Sequence, residues 1–369
     1  MKKRIIAIHL PQFHPFPEND EWWGKGFTEW TNVTKAKPRF PGHYQPQLPT
    51  ETGFYDLRLP EVRQMQADMA KDYAIDGFCY YHYWFNGKML MERPVEEILS
   101  SGEPDFPFML CWANENWSRK WDGGNSSVLI HQNYCRADDE AHIRWLCSHV
   151  FPDSRYIRVQ GKPVFAVYRP FENQKTEEML ATWRLVAREE YGMELYLIGF
   201  ERIHCEGKRI LSMGFDATID FQPLSLNGFE RKSPLCYPFM LWDKFLHEKR
   251  NPFSIFISYK KYVDNKIQEP EVPYKMFPCV SPGWDNACRR VGRPFMAFLG
   301  NTPKLFEKWI SATLKRFKPF GKDEDFVFIN AWNEWAEGNH LEPDRKWGRG
   351  FLEAVKSAVE HDGDERAEE

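Results

Sequence analysis

The chain has 369 residues, 42% of them hydrophobic and 28% charged, which is enough for one large α/β domain or two smaller ones. Its formal net charge of −4 lacks the basic excess expected of a nucleic-acid or membrane-surface binder. Aromatic residues reach 16%, with 15 Trp, which fits either an aromatic-walled groove or a large core with surface aromatics.

Met1-Lys2-Lys3-Arg4 precedes an apolar run over 5–10. The run is too short for a signal peptide, contains His9, stops at Pro11 and has no small-residue cleavage site, so it reads as a first strand. Further apolar runs follow over 77–82, 106–112, 164–168, 195–198, 217–221, 277–281 and 326–332, continuous as strands buried on both faces should be. Helical periodicity lies between them. Over 60–73 it places Val62, Met65, Met69 and Tyr73 on one face, and similar patterns cover 138–150, 175–191 and 303–317. Thr302 and Pro303 suit the N-cap and first turn of the last of these. A closing helix is expected over 350–360, then a charged, disordered tail over 361–369.

Eight strands alternating with helices predict a (β/α)₈ barrel, with 1–360 as a single catalytic domain. A doubly wound open sheet is the alternative, but no glycine-rich phosphate turn follows a strand. Two long insertions, 11–52 after strand one and 222–273 before strand seven, are expected to be functional. No stretch has the apolar length of a transmembrane helix, so no membrane insertion is predicted. The eight cysteines form no CxxC pair, which favours a reducing, cytoplasmic setting over a disulfide framework or zinc site.

Polar and aromatic residues gather at the strand ends: His9 to His14, Tyr80 to Asn86, Trp112 to Trp117, Pro282 to Asn286 and Trp332 to Glu337. Unpaired buried polar groups cost roughly 1–3 kcal/mol each, so five strands ending this way suggest one rim. Indoles suit the C–H faces of a sugar, and amides and carboxylates its hydroxyls. Candidate ligands to an oligosaccharide or polysaccharide are His9, Gln12, Glu29, Trp30, His82, Tyr83, Trp84, Asn114, Glu115, Trp117, Trp284, Asp285, Asn333 and Trp335. Glu115 and Asp285 suit either sugar contact or support of the site. His9, His14 and His82 lack HxH or HExxH spacing, so no metal is predicted. The basic and aromatic stretch 249–261 suits an anionic sugar, a membrane or a solvated helix face.

Glu334 and Glu337 are the candidate reacting carboxylates. At i and i+3 of one turn their Cβ atoms lie roughly 5–6 Å apart, which suits the close pair of a retaining glycosidase. Alone, Glu-x-x-Glu equally fits a solvated first turn. Trp332, Asn333 and Trp335, directly after a buried strand, favour the site.

At these residues the sequence resembles a known family. Ile8 to His14, Gly26-Phe27-Thr28-Glu29-Trp30, Asp76-Gly77-Phe78 with its aromatic run, Trp112 to Trp117 and Trp332 to Gly338 occur in the order found in WbsX-like proteins, over about residues 4–358. These are described as glycoside hydrolase family 99-like and occur in bacterial O-antigen and capsule gene clusters. The resemblance implies a (β/α)₈ endo-α-mannosidase-like enzyme without metal or organic cofactor. It implies that Glu334 deprotonates the sugar 2-hydroxyl, which attacks C1 to give a 1,2-anhydro sugar. Glu337 then protonates the leaving oxygen and later activates water. Such attack needs the 2-hydroxyl trans to the leaving group, as in α-manno or α-rhamno sugars. A glycosyltransferase or transglycosylase, and a non-catalytic glycan-binding barrel, are the competing functions; no DxD-like motif supports a nucleotide-sugar enzyme.

Overall fold

The computed structural model describes residues 2–118, 128–203, 205–223, 238, 241–242, 244–245 and 254–368. Nine parallel segments wrap into a barrel: β1 (Arg4–His9), β2 (Gly77–Phe85), β3 (Phe108–Trp112), β4 (Lys162–Val167), β5 (Tyr196–Glu201), β6 (Ala217–Asp220), β7 (Met276–Phe277), β8 (Cys279–Val280) and β9 (Phe326–Ile329). β7 and β8 are the halves of the strand predicted over 277–281. Pro278 between them has no N–H to donate. β7 pairs with β6, β8 pairs with β9, and the Pro278 carbonyl accepts the Phe328 N–H at 2.8 Å. One strand position thus hands its pairing from one neighbour to the other, and the ring of eight positions closes, as the (β/α)₈ expectation required.

Eight helices follow the strands: α1 (Pro60–Asp72), α2 (Arg93–Ser101), α3 (Arg136–Trp145), α4 (Thr176–Tyr191), α5 (Gly207–Ser212), α6 (Tyr259–Gln268), α7 (Pro303–Arg316) and α8 (Gly350–Glu368). α7 starts as its sequence signals, with the Thr302 hydroxyl accepting the Leu305 N–H at 3.3 Å. α3 loosens into a π turn at Leu146–Val150, inside the helix predicted over 138–150. α8 corrects an expectation. It does not stop at residue 360 but runs to Glu368, and Lys3 Nζ donates to Asp362 at 2.7 Å and to the Leu314 carbonyl at 2.5 Å.

The insertion after β1 carries two short helices, Pro17–Trp23 and Glu29–Thr34. The insertion before β7 lies partly outside the described residues, as do 249–253 of the basic and aromatic stretch. Its described end forms the strand Ile255–Ser258, which pairs in parallel with Met296–Leu299 and then enters α6. That pair anchors the segment after β8, whose Trp284, Asn286, Arg289 and Arg290 line the same cavity as residues at the ends of several barrel strands. Among the described residues no helix is long and apolar enough to cross a membrane.

Candidate active site

The chain leaves β9 into a small hairpin. Asn333–Glu334 pairs with Asn339–His340, and one 3₁₀ turn, Trp335–Glu337, joins them. The Asn333 side chain bolts this hairpin to the end of β1, accepting the Leu10 N–H at 2.7 Å and donating to the Leu10 carbonyl at 3.0 Å. Behind the turn, Glu342 accepts four hydrogen bonds: from Gln66 (2.7 Å), Trp332 (3.0 Å), Tyr55 (2.8 Å) and Trp335 (2.7 Å). Burial pushes the Glu342 carboxyl up to about 7 against those donors. Gly338 ends the turn at φ +56°, and a Cβ there would sit 2.9 Å from Asp285 Cβ and 2.8 Å from Gln47 Nε2. Tied from behind, the turn projects Glu334 and Glu337 into a cleft of about 490 Å³.

Arg289, on a 3₁₀ turn after β8, meets both carboxylates. Its Nη1 donates to Glu337 at 2.6 Å, its Nη2 to Glu334 at 3.2 Å, and its Nε to Glu29 at 2.9 Å. Two buried carboxylates, Glu29 and Glu334, and the half-buried Glu337 cannot all be ionised around one guanidinium without a large electrostatic cost. Burial, and then the neighbouring Glu337, push the Glu334 carboxyl up to about 8. The Glu337 carboxyl is also raised, by burial and by Glu29, while Arg289, Arg202 and Arg290 pull it down. The proton belongs to the pair rather than to one residue. A pair that shares one proton can supply an acid and a base side by side.

Of the sixteen residues expected at the site, Glu334, Glu337, Gln12, Glu29, Tyr83, Glu115, Trp117 and Trp284 line the cleft. The other eight do not, and each has another partner. His9 is buried at Gln66 (3.1 Å), and burial pushes its imidazole down to about 3. His82 faces His142 at 3.0 Å and stacks on Trp145, while Trp84 donates to Asp138 at 3.0 Å. Trp30 donates to the Tyr55 carbonyl (2.9 Å), and Asn114 accepts the Arg169 N–H (2.8 Å). Asp285 accepts from Gln45 (2.9 Å) and meets His43 (2.6 Å). Asn333 and Trp335 hold the turn, as above. Sequence reasoning missed Tyr81, Tyr168, Arg169, Arg202, Arg289 and Arg290, all on the cleft wall. The run Cys288-Arg289-Arg290 was the available signal, since two arginines beside a predicted rim had no surface assignment. Among the described residues no three His, Cys, Asp or Glu side chains converge as a metal site.

The fold has solved relatives. The endo-α-mannosidase of glycoside hydrolase family 99 from Bacteroides thetaiotaomicron superposes with a TM-score of 0.59 at 13% identity, over 99% of this chain and 98% of its own. A glycoside hydrolase-like protein gives 0.61 at 15% identity, over 97% and 94%. At such identities the likeness is one of fold. In sequence, the chain is 39% and 38% identical over 361 residues to the protein WxcX of two strains of Xanthomonas campestris pv. campestris, covering 96% of this chain. It spans about half, 49%, of the length of those relatives. Residues 5–355 match the family described as glycosyltransferase WbsX, and the chain belongs to that family.

Proposed function

We propose that this chain is a glycan-active enzyme that breaks an α-manno- or α-rhamno-configured bond of a bacterial polysaccharide with retention, by way of a 1,2-anhydro sugar. The observation that carries the reading is the Glu334–Glu337 pair, joined through Arg289 at the floor of an aromatic-lined cleft. The cavity falls within the ~300–1,000 Å³ typical of small-ligand sites. The solved relative named as an endo-α-mannosidase and the family's name both point to glycans.

In the first half-reaction the proton that the pair shares sits on Glu337, and Glu334, ionised, accepts the proton of the sugar 2-hydroxyl. O2 then attacks C1 as the C1–oxygen bond to the leaving group breaks, and Glu337 gives its proton to that oxygen. In the second half Glu337, now ionised, takes a proton from water. The resulting hydroxide opens the three-membered ring at C1, and O2 recovers its proton from Glu334. Arg289 touches both carboxylates throughout and favours whichever is ionised. Tyr81, Tyr83, Trp117 and Trp284 provide the faces against which sugar rings stack.

Glu334→Gln and Glu337→Gln are each expected to abolish turnover of α-mannosides, α-rhamnosides or purified O-antigens while the protein stays folded. Near-normal activity in both variants would sink the assignment. Proton NMR of the first product anomer reads the stereochemistry, and inversion is incompatible with the anhydro-sugar route. A second reading has the family's name behind it: a sugar hydroxyl replaces water in the second half, so the enzyme transfers rather than hydrolyses. Added acceptor oligosaccharide then yields longer products in place of free reducing sugar.

A further inference from the structure

Among the described residues, four arginines line the cleft: Arg169, Arg202, Arg289 and Arg290. Two are committed. Arg289 serves three carboxylates, and Arg169 is hydrogen-bonded to Glu115. The other two keep donors that no acceptor among the described residues meets, although Arg202 is also ion-paired with Glu115. Arg202, directly after β5, lies 4.9 Å from the Tyr168 ring, and its Nη1 stands 3.7 Å from Glu115, beyond hydrogen-bond reach. Its Nε and Nη1, and the Nε of Arg290, are buried without a hydrogen-bond acceptor among the described residues. Each such group costs roughly 1–3 kcal/mol when left unmet. Two arginines in that condition in one cleft mark the place of an acceptor that arrives with the ligand. Both line the same cleft as Glu337, and both guanidiniums pull its carboxyl down.

We propose that Arg202 and Arg290 form a subsite for an anionic oxygen group, the carboxylate of an acidic sugar or a phosphate, carried by the glycan next to the bond at which Glu337 acts. The placement beside that bond rests on the function proposed above; the anion subsite itself does not. Planar guanidinium forks match carboxylate and phosphate oxygens in pairs, which an uncharged hydroxyl cannot do. Arg202 stands over the Tyr168 ring, within cation–π range of its face. A neutral mannan would leave these donors unmet and is expected to be a poor ligand.

Calorimetric titration of the full chain with glucuronate, inorganic diphosphate and, as a neutral control, methyl α-mannoside tests this without turnover. At least one anionic probe is expected to bind at about 10 mM or below. Arg202→Gln and Arg290→Gln are each expected to weaken that binding tenfold or more, with the lysine variants intermediate and Glu334→Gln no weaker than the parent. Binding of glucuronate identifies a sugar carboxylate; binding of diphosphate alone identifies a phosphate. If neither anion binds, or if folded glutamine variants bind as the parent does, the subsite is overturned. Arginine-dependent binding in a protein without glycan turnover would remove the proposed function and leave the subsite standing. Turnover of neutral glycans, unchanged in both glutamine variants, would do the opposite.

Discussion

Arg289 is the residue on which the site depends, because one guanidinium faces Glu29, Glu334 and Glu337. Arg289→Met would leave three clustered carboxylates, two of them buried, without their shared counter-ion, and removing one member of a buried ionic group costs about 3–5 kcal/mol. The urea midpoint is expected to fall accordingly and to recover part of the loss toward pH 5, where the carboxyls take up protons. Equal midpoints at pH 5 and pH 8 would contradict this. The Glu334–Glu337 pair carries a pH signature, largest at Glu334. Its folded value of about 8 lies above the ordinary 4.5, so its contribution to stability is fully present below pH 4.5. That contribution is lost as pH rises through 8, because the unfolded carboxyl ionises first. The slope in that window approaches 1.4 kcal/mol per pH unit, at most about one proton's worth. Glu334→Gln is expected to flatten it, and parental activity is expected to decline above about pH 8 as the pair loses its last proton. The cleft was only half legible at this scale, for a reason of strand geometry. Side chains alternate between faces with a period of two, so along β2 Tyr81 and Tyr83 enter the cleft while His82 and Trp84 turn outward onto α3. Reading every residue of a strand end as a rim residue doubles the list. Arg289 stayed hidden because its partners are distant in sequence, and only closure of the barrel brings Glu29 and the turn after β9 to it.

At the scale of elements, the turn that carries Glu334 and Glu337 is held by groups that never see the cleft. Glu342 faces four donors, two at each oxygen. Glu342→Gln preserves the shape but sets an amide N–H₂ against two of them, and each donor left without an acceptor costs about 1–3 kcal/mol. The variant is expected to lose both thermal stability and kcat, since the displaced turn carries Glu334 and Glu337. A normal kcat in a destabilised protein would mean that the turn is placed by other contacts. Gly338 is the complementary case. Alanine there meets the left-handed φ and the Asp285 backbone nitrogen at 3.1 Å, so Gly338→Ala is expected to cut activity by more than its melting temperature suggests. The strands themselves were readable, since their apolar runs lie within a few residues of the observed segments. Three helices were not: α2, α5 and α6 are ten residues or fewer and offer too few turns for a periodic signal to stand above composition. The break at Pro278 was equally invisible, because a proline inside an apolar run does not say which neighbour each half will pair with.

For the whole molecule, alternating strands and helices were sufficient to indicate the barrel, but not how its two ends are fastened. β1 sits between β2 and β9, so the first strand closes the ring against the last. α8 then packs Phe351, Leu352 and Val355 into the core next to α7. The expected disordered tail rested on the charges after residue 360, yet one of them has a buried partner. Lys3, 7% exposed, reaches both the Leu314 carbonyl and Asp362, joining the chain before β1 to α7 and α8 in one contact. Long-range ion pairs of this kind leave no local trace in sequence. If the tail were dispensable, Asp362→Asn would leave stability unchanged. With the buried ammonium deprived of its carboxylate, a loss of about 1–3 kcal/mol is expected instead. Lys3→Met with Asp362→Leu, which removes both charges and keeps apolar volume, is expected to recover most of it, because replacing a buried pair by packed hydrophobic groups is often neutral or better. Calorimetric melting of the single and double variants measures the difference. Additive losses in the double variant would mean that the two residues act separately and that α8 is held to the barrel by its apolar face alone.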